Sequence, residues 1–307
     1  MSEENNLDVE DFFKYRSVGS CLSEGISFLT DYFFRFIRMT LPVAIPLSLT
    51  MAAMMYWLCD VRLMSASYAI PVVSGLSLLV ILLEALHTGQ IYMLIRSRAS
   101  GEDPKLLKTR DLLRRPLLSL SARSLLCDVV EGFVTGCFIF AAFYVATLSI
   151  DKEIMVSTAT KVIVIAVIGV MYLLVAIPLL LCLPSMALQG GNWLKSMWTG
   201  YCYGWKKWTR VFSLGLLAGL IVYVVNILVT SPASIVFLMQ RHATQSMLEG
   251  DQVIMPSSFP YWAAVIFLLT SFLYVIMRWL MFTPFAYLYA SVRTDVEEEE
   301  KSKLPII

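Results

Sequence analysis

Six stretches of the chain are so long and so apolar that they leave little choice of fold. They run at about 41–60, 69–95, 122–149, 160–188, 210–239 and 260–291. Crossing the hydrocarbon core of a bilayer takes ~20 mostly apolar residues. Lipid offers the backbone no hydrogen-bond partner, so such segments form helices, whose peptide groups satisfy one another. Composition agrees: the chain is 58% hydrophobic and 15% charged, against roughly 45–50% and 25% in soluble domains. The fold class that follows is all-α: a polytopic membrane protein of six transmembrane helices.

Lysine and arginine set the orientation. With six spans both termini share one side, and 19 of the 24 basic residues fall there, from Lys14 and Arg16 to Lys301 and Lys303. Arg62, Lys152, Lys161 and Arg241 fall on the other side, and Arg278 within a span. The positive-inside rule then predicts a multi-pass protein of the cytoplasmic (inner) membrane, with both termini in the cytoplasm. The start, MSEENNLDVEDFF, has no basic segment before an apolar core, so no cleavable signal peptide is expected. Residues 1–16 read as a disordered acidic tail and 294–307 as a short solvated charge run. The six cysteines form no CxxC pair, and most lie in or beside spans, where a thiol acts as a small apolar group. Neither a disulfide framework nor a metal or cofactor is expected.

Between the fourth and fifth spans lies NWLKSMWTGYCYGWKKWTRVF, with four of the seven tryptophans. On a helix, Leu194, Trp198, Tyr201, Trp205, Trp208 and Phe212 form one stripe, and Lys195, Lys206, Lys207 and Arg210 lie away from it. Tryptophan favours the headgroup level and lysine favours anionic phosphate. Residues 192–209 therefore read as an amphipathic helix in the interface, capped by Asn192 after Gly190-Gly191. Trp193, Trp198, Trp205 and Trp208 would be its anchors, with Lys206 and Lys207 on anionic headgroups. A helix packed on its neighbours is the other reading; nucleic acid is not expected as a partner. The same spacing recurs from Val18, with Ser17 as cap, and less cleanly from Leu106, after the Asp103-Pro104 cap and with Pro116 as a break. The stripes start at 18, 106 and 194, a constant step of 88 residues, and two spans follow each. The domain at 17–293 thus reads as a threefold repeat, with units at about 17–104, 105–192 and 193–293 and a longer external loop at about 240–259.

The segment LPSMALQGGNWLKSMWTGYCYGWKKWTRVFSLGLL, with RSVGSCLSEGI at 16–26 and YLYASVR at 287–293, resembles the membrane domain of the glycerophosphoryl diester phosphodiesterase membrane-domain family. It is also similar to related bacterial multi-pass families of unknown function. The likeness covers most of the chain and implies the membrane part alone. In fused relatives the phosphodiesterase chemistry belongs to a separate soluble barrel, for which this chain has no room, so no enzyme activity is implied.

No GxSxG, HExxH or P-loop is present, and the only histidines are His87 and His242. The polar groups at lipid depth are Glu84, His87, Thr88 and Gln90 in the second span, Asp128 and Glu131 in the third, Asn226 in the fifth and Arg278 in the sixth. At 1.5 Å per residue, Glu84, His87, Asp128, Glu131 and Arg278 come out roughly 9–20 Å deep in the inner half of the bilayer. Glu84 and His87 share a helix side, as do Asp128 and Glu131. Arg278 is predicted to contact Glu84, Asp128 or Glu131, because an unpaired guanidinium there is costly. GFVTG at 132–136 and GLLAG at 215–219 are spaced for close helix packing, within the chain or between copies in a homo-oligomer. Three functions follow: a non-enzymatic scaffold that organises lipid or partner proteins from its inner-face belt, a small transporter or flippase-like protein using the intramembrane charges, or, last, an intramembrane enzyme acting on lipid headgroups, which would need a nucleophile or metal beside His87. A dry bundle would favour the first, and a cavity lined by Glu84, Asp128 and Arg278 the second.

Overall fold

The computed structural model describes residues 11–60, 63–64, 67–102, 115–147, 158–250 and 256–303. Its helices are α1 (Val18–Asp31), α2 (Phe33–Cys59), α3 (Ala69–Ala99), α4 (Arg115–Thr147), α5 (Thr158–Leu179), α6 (Cys182–Gln189), α7 (Trp193–Lys206), α8 (Trp208–Leu248), α9 (Phe259–Met277) and α10 (Trp279–Lys303). Six of the helical stretches are long and apolar enough to cross a membrane: α2, α3, α4, α5 with α6, α8, and α9 with α10. The chain is an all-α, multi-pass membrane protein.

Local chemistry explains where helices begin and end. The Ser17 side chain accepts from the Ser20 N–H at 3.3 Å and starts α1; that of Asn192 accepts from the Leu194 N–H at 3.2 Å and starts α7. Each satisfies a donor that the first turn leaves unpaired. Gly190 and Gly191, at φ 67° and 75°, stop α6 in a backbone region that suits glycine. Pro178 leaves one carbonyl of α5 without its helical partner, and the helix resumes as α6 two residues after it ends. α9 and α10 meet at Arg278.

Neighbours follow chain order. The spans pack α2 on α3, α3 on α4, α4 on α5, α5 on α8 and α8 on α9, and α9 returns to α2. The ring of six is closed. Two short helices pack across the spans: α7 lies on α6, and α1 lies on α10, at the far end of the chain. At both contacts glycines are set against backbone. A Cβ at Gly204 would sit 2.7 Å from the Pro178 carbonyl, one at Gly200 2.7 Å from that of Leu181, and one at Gly25 2.7 Å from the Pro284 nitrogen. The main core gathers where these short helices meet the spans, around Phe28, Phe36, Ile91, Tyr92, Trp279 and Tyr289. By contrast α4 and α5 present Phe133, Phe140, Phe143 and Ile163 outward, as lipid-facing helices do.

Several expectations need correction. GFVTG is not a packing site among the described residues, where nothing lies within 4 Å of a Cβ added at Gly132 or Gly136; in GLLAG Gly219 is likewise open, while Gly215 packs at ordinary distance, 3.6 Å from Leu180 and 3.8 Å from Phe285. The fifth span does not stop near 239; α8 runs to Leu248 and takes up half of the expected loop at 240–259. The charged run near the end is exposed as expected but helical, because α10 continues through the acidic stretch to Lys303. Nor is the start loose up to residue 16: Phe12 and Arg16 are buried, and the Arg16 N–H donates to Ser291 Oγ at 2.7 Å. Residues 1–10, and the cap and most of the stripe expected at 103–114, lie outside the described residues. Pro116 lies at the beginning of the described part of α4, so whether it breaks a helix that starts earlier falls outside the described residues.

Candidate intramembrane site

The joint between α9 and α10 places Arg278 among α3, α4 and α6. Its guanidinium forms an ion pair with Glu84 and lies 5.3 Å from the centre of the Phe282 ring. Asp128 and Glu131, one turn apart on α4, line a cavity of about 140 Å³ together with Arg278. Tyr92 of α3, Cys127 of α4, Cys182 of α6, and Phe282 and Phe285 of α10 complete its wall. Of the expected cluster, the structure therefore joins Glu84, Arg278, Asp128 and Glu131. Arg278 pairs with Glu84, and the two α4 acids share the cavity with it.

His87 stands apart. It is fully buried and accepts a hydrogen bond at Nε2 from the Trp279 indole N–H at 3.2 Å. An accepting Nε2 carries no proton, so the imidazole is neutral and adds no charge to the cluster. It does not line the cavity, and neither does Asn226 of α8. Tyr92, Trp279 and the two cysteines are the participants that spacing did not reveal. Tyr92 lies eight residues after Glu84, just over two turns on, and Trp279 adjoins Arg278, so a search along both helices would have found them.

The tryptophan helix is placed with its small face inward. Ser196, Gly200 and Gly204 are buried, and Ser185 Oγ donates to the Ser196 carbonyl at 2.7 Å. Leu194, Trp193, Trp198 and Trp205 are exposed, Trp198 to 65%. The aromatic stripe thus turns away from the protein, while Trp208 is half-buried and stacks on Phe212. The basic residues also have partners within the chain. Lys206 meets Glu300 at 2.8 Å, Lys207 meets Asp295 at 2.9 Å and also Glu299, and Arg210 meets Asp295 at 2.9 Å. The acidic end of α10 straps across the belt. The Lys206 ammonium holds the Glu300 carboxyl below its usual range. Under the strap, Arg210 donates to Ser291 Oγ at 3.0 Å, and Thr294 Oγ1 donates to the Phe13 carbonyl at 3.1 Å.

A scan against protein-family models finds no match for this chain, and searches of curated proteins and of solved structures find none either. Function has to be argued from the site itself.

Proposed function

We propose that this multi-pass membrane protein is a small carrier that works through its intramembrane charges. One observation carries the reading: a cavity within the bundle is walled by Asp128, Glu131 and Arg278, with Glu84 holding the guanidinium. Ionisable groups at lipid depth are expensive, and where they surround open space rather than only each other they mark a path or a binding site. A dry lock would need one acid for one arginine; here three acids gather near one. The proposed role is non-enzymatic. The basic asymmetry supports a cytoplasmic-membrane location with both termini in the cytoplasm, and the family resemblance supports a membrane domain acting without its soluble barrel.

A scaffold role is the second reading, and the outward stripe of Trp198 and Trp205 favours it, since it gives the protein a belt of contact with lipid. The two part at the cavity. Cys127 and Cys182 line it and serve as native reporters. With Cys21, Cys59, Cys137 and Cys202 replaced by serine, a small uncharged water-soluble thiol reagent should modify Cys127 or Cys182 in sealed membranes. Modification only after denaturation would mean a dry bundle and would leave the scaffold reading standing.

A further inference from the structure

We infer that the cavity binds a small organic cation of the ammonium type, held between Asp128 and Glu131. The inference rests on the carrier reading above and names its ligand class.

Charge is the first argument. Glu84, Asp128 and Glu131 are three acids; Arg278 is the single cation, and it is paired with Glu84. His87 accepts at Nε2 and is neutral. Among the described residues no Lys or Arg forms an ion pair with Asp128 or Glu131. Three carboxyl groups thus share the one guanidinium of Arg278, and Asp128 and Glu131 line the cavity with no ion pair of their own among the described residues, a costly arrangement at lipid depth that a bound cation or added protons would relieve.

The wall chooses between these. Tyr92 is 2% exposed and lines the cavity, bringing a phenol to its wall, and a phenol oxygen can accept from an N–H cation. Phe282 and Phe285 add aromatic faces, and the Arg278 guanidinium 5.3 Å from the Phe282 ring shows that ring already holding a cation. Carboxylates, a phenol oxygen and aromatic faces together recognise N–H-bearing cations. A tightly ligated metal is disfavoured, because no group of three or more His, Cys, Asp or Glu among the described residues is arranged to hold one. The space, about 140 Å³, suits a methylammonium-sized group and a few waters.

The experiment uses the full-length chain carrying only Cys127 and Cys182, in membranes. Their modification is timed with a cationic (trimethylammonium-ethyl) and an anionic (sulfonato-ethyl) thiosulfonate, with and without methylammonium chloride; sodium chloride and sodium acetate are the controls. Measured against their rates with a free thiol in solution, the cationic reagent should be favoured about tenfold or more, as the acids of the cavity outnumber its one guanidinium, which Glu84 already pairs. Methylammonium, and neither sodium salt, should slow the cationic reagent. Asp128→Asn with Glu131→Gln should abolish both effects, and Asp128→Glu should keep them. Equal rates for the two reagents on that scale, or no protection by methylammonium, would overturn the inference: the acids would then be simply protonated, in a cavity that still admits solute. No reaction with any reagent would instead remove the cavity, and the carrier reading with it. Wild-type preference and protection decide the matter even if the double variant fails to fold.

Discussion

Alanine at Gly204 and alanine at Gly132 should move stability in opposite directions. The two glycines look alike in sequence, each four residues from another glycine. At Gly204 the new methyl would meet the Pro178 carbonyl oxygen at 2.7 Å and the Pro178 Cα at 2.8 Å; at Gly200 it would meet the Leu181 carbonyl oxygen and the Ser185 Cβ, both at 2.7 Å. Nearly all of these are backbone atoms of a packed helix, with no flexible side chain to yield. Over-packing of this kind costs about 1–3 kcal/mol per site. The sites lie one turn apart on the same face, so the double variant should cost less than the sum, since one displacement of α7 relieves both. At Gly132, Gly136 and Gly219 the added Cβ meets nothing within 4 Å. There the loss of glycine's backbone freedom should leave the protein unchanged or stabilise it by up to about 1 kcal/mol. The assay is the fraction of monodisperse protein left after graded heating in mild detergent, or a titration with a denaturing detergent. The packing argument fails if Gly204→Ala matches wild type. It also fails if Gly132→Ala is as damaging as Gly204→Ala while the protein is monomeric, because Gly132 has no partner inside the chain to explain such a loss.

Arg278→Leu should cost about 3–5 kcal/mol by stranding Glu84, and adding Glu84→Gln should recover much of that; a double variant as poor as the sum of its singles, in the same detergent assay, would refute the pairing. Brominated lipids should quench Trp198 and Trp205 and leave the buried Trp279 dark to them, read on single-tryptophan variants; equal quenching would refute the outward stripe. A cysteine at Gln245 should label from outside intact cells and one at Ser302 should not, and the reverse pattern would invert the topology. The Lys206 ammonium lowers the Glu300 carboxyl, so this ion pair should hold at neutral pH and be lost as pH falls through the lowered carboxylate range. High salt should loosen it too, measured as growing spin-label separation between Ser302 and Thr199; a distance insensitive to both would mean the strap is held by something other than charge.

Hydropathy made the six spans legible because lipid imposes a length and a composition that no other environment demands together. Caps were legible for a similar reason: Ser17, Asn192 and the Gly190-Gly191 stop each do their work within a few residues. What could not be read is what depends on a partner. Gly25, Gly200 and Gly204 matter because prolines and carbonyls of other units press on them, while Gly132 and Gly136 show the better-known spacing and touch nothing. The acidic end of α10 looked like a solvated tail because its partners, Lys206, Lys207 and Arg210, lie some 85–94 residues away in the chain. At the site, the costs of burying charge foretold that Arg278 would find an acid. They could not say that it would take Glu84 and leave Asp128 and Glu131 facing open space, since that is decided by where α9 gives way to α10.

The clasp of α1 on α10 means that the chain has a seam rather than two ends. Arg16 and Ser291 are hydrogen-bonded neighbours, and the Gly190-Gly191 turn is a natural place to cut. A permuted protein that joined the old termini through a short linker and began at Asn192 would carry α7, α8, α9 and α10 first. Each unit crosses the membrane twice, so moving whole units leaves every span in its original direction. The native order has a cost in time: α1 leaves the ribosome first but cannot seat until Pro284 has been made and inserted. Until then the face of α1 that packs on α10 has no partner to cover it. The permuted chain would make that contact early and leave the junction of α7 with α6 as the last to close.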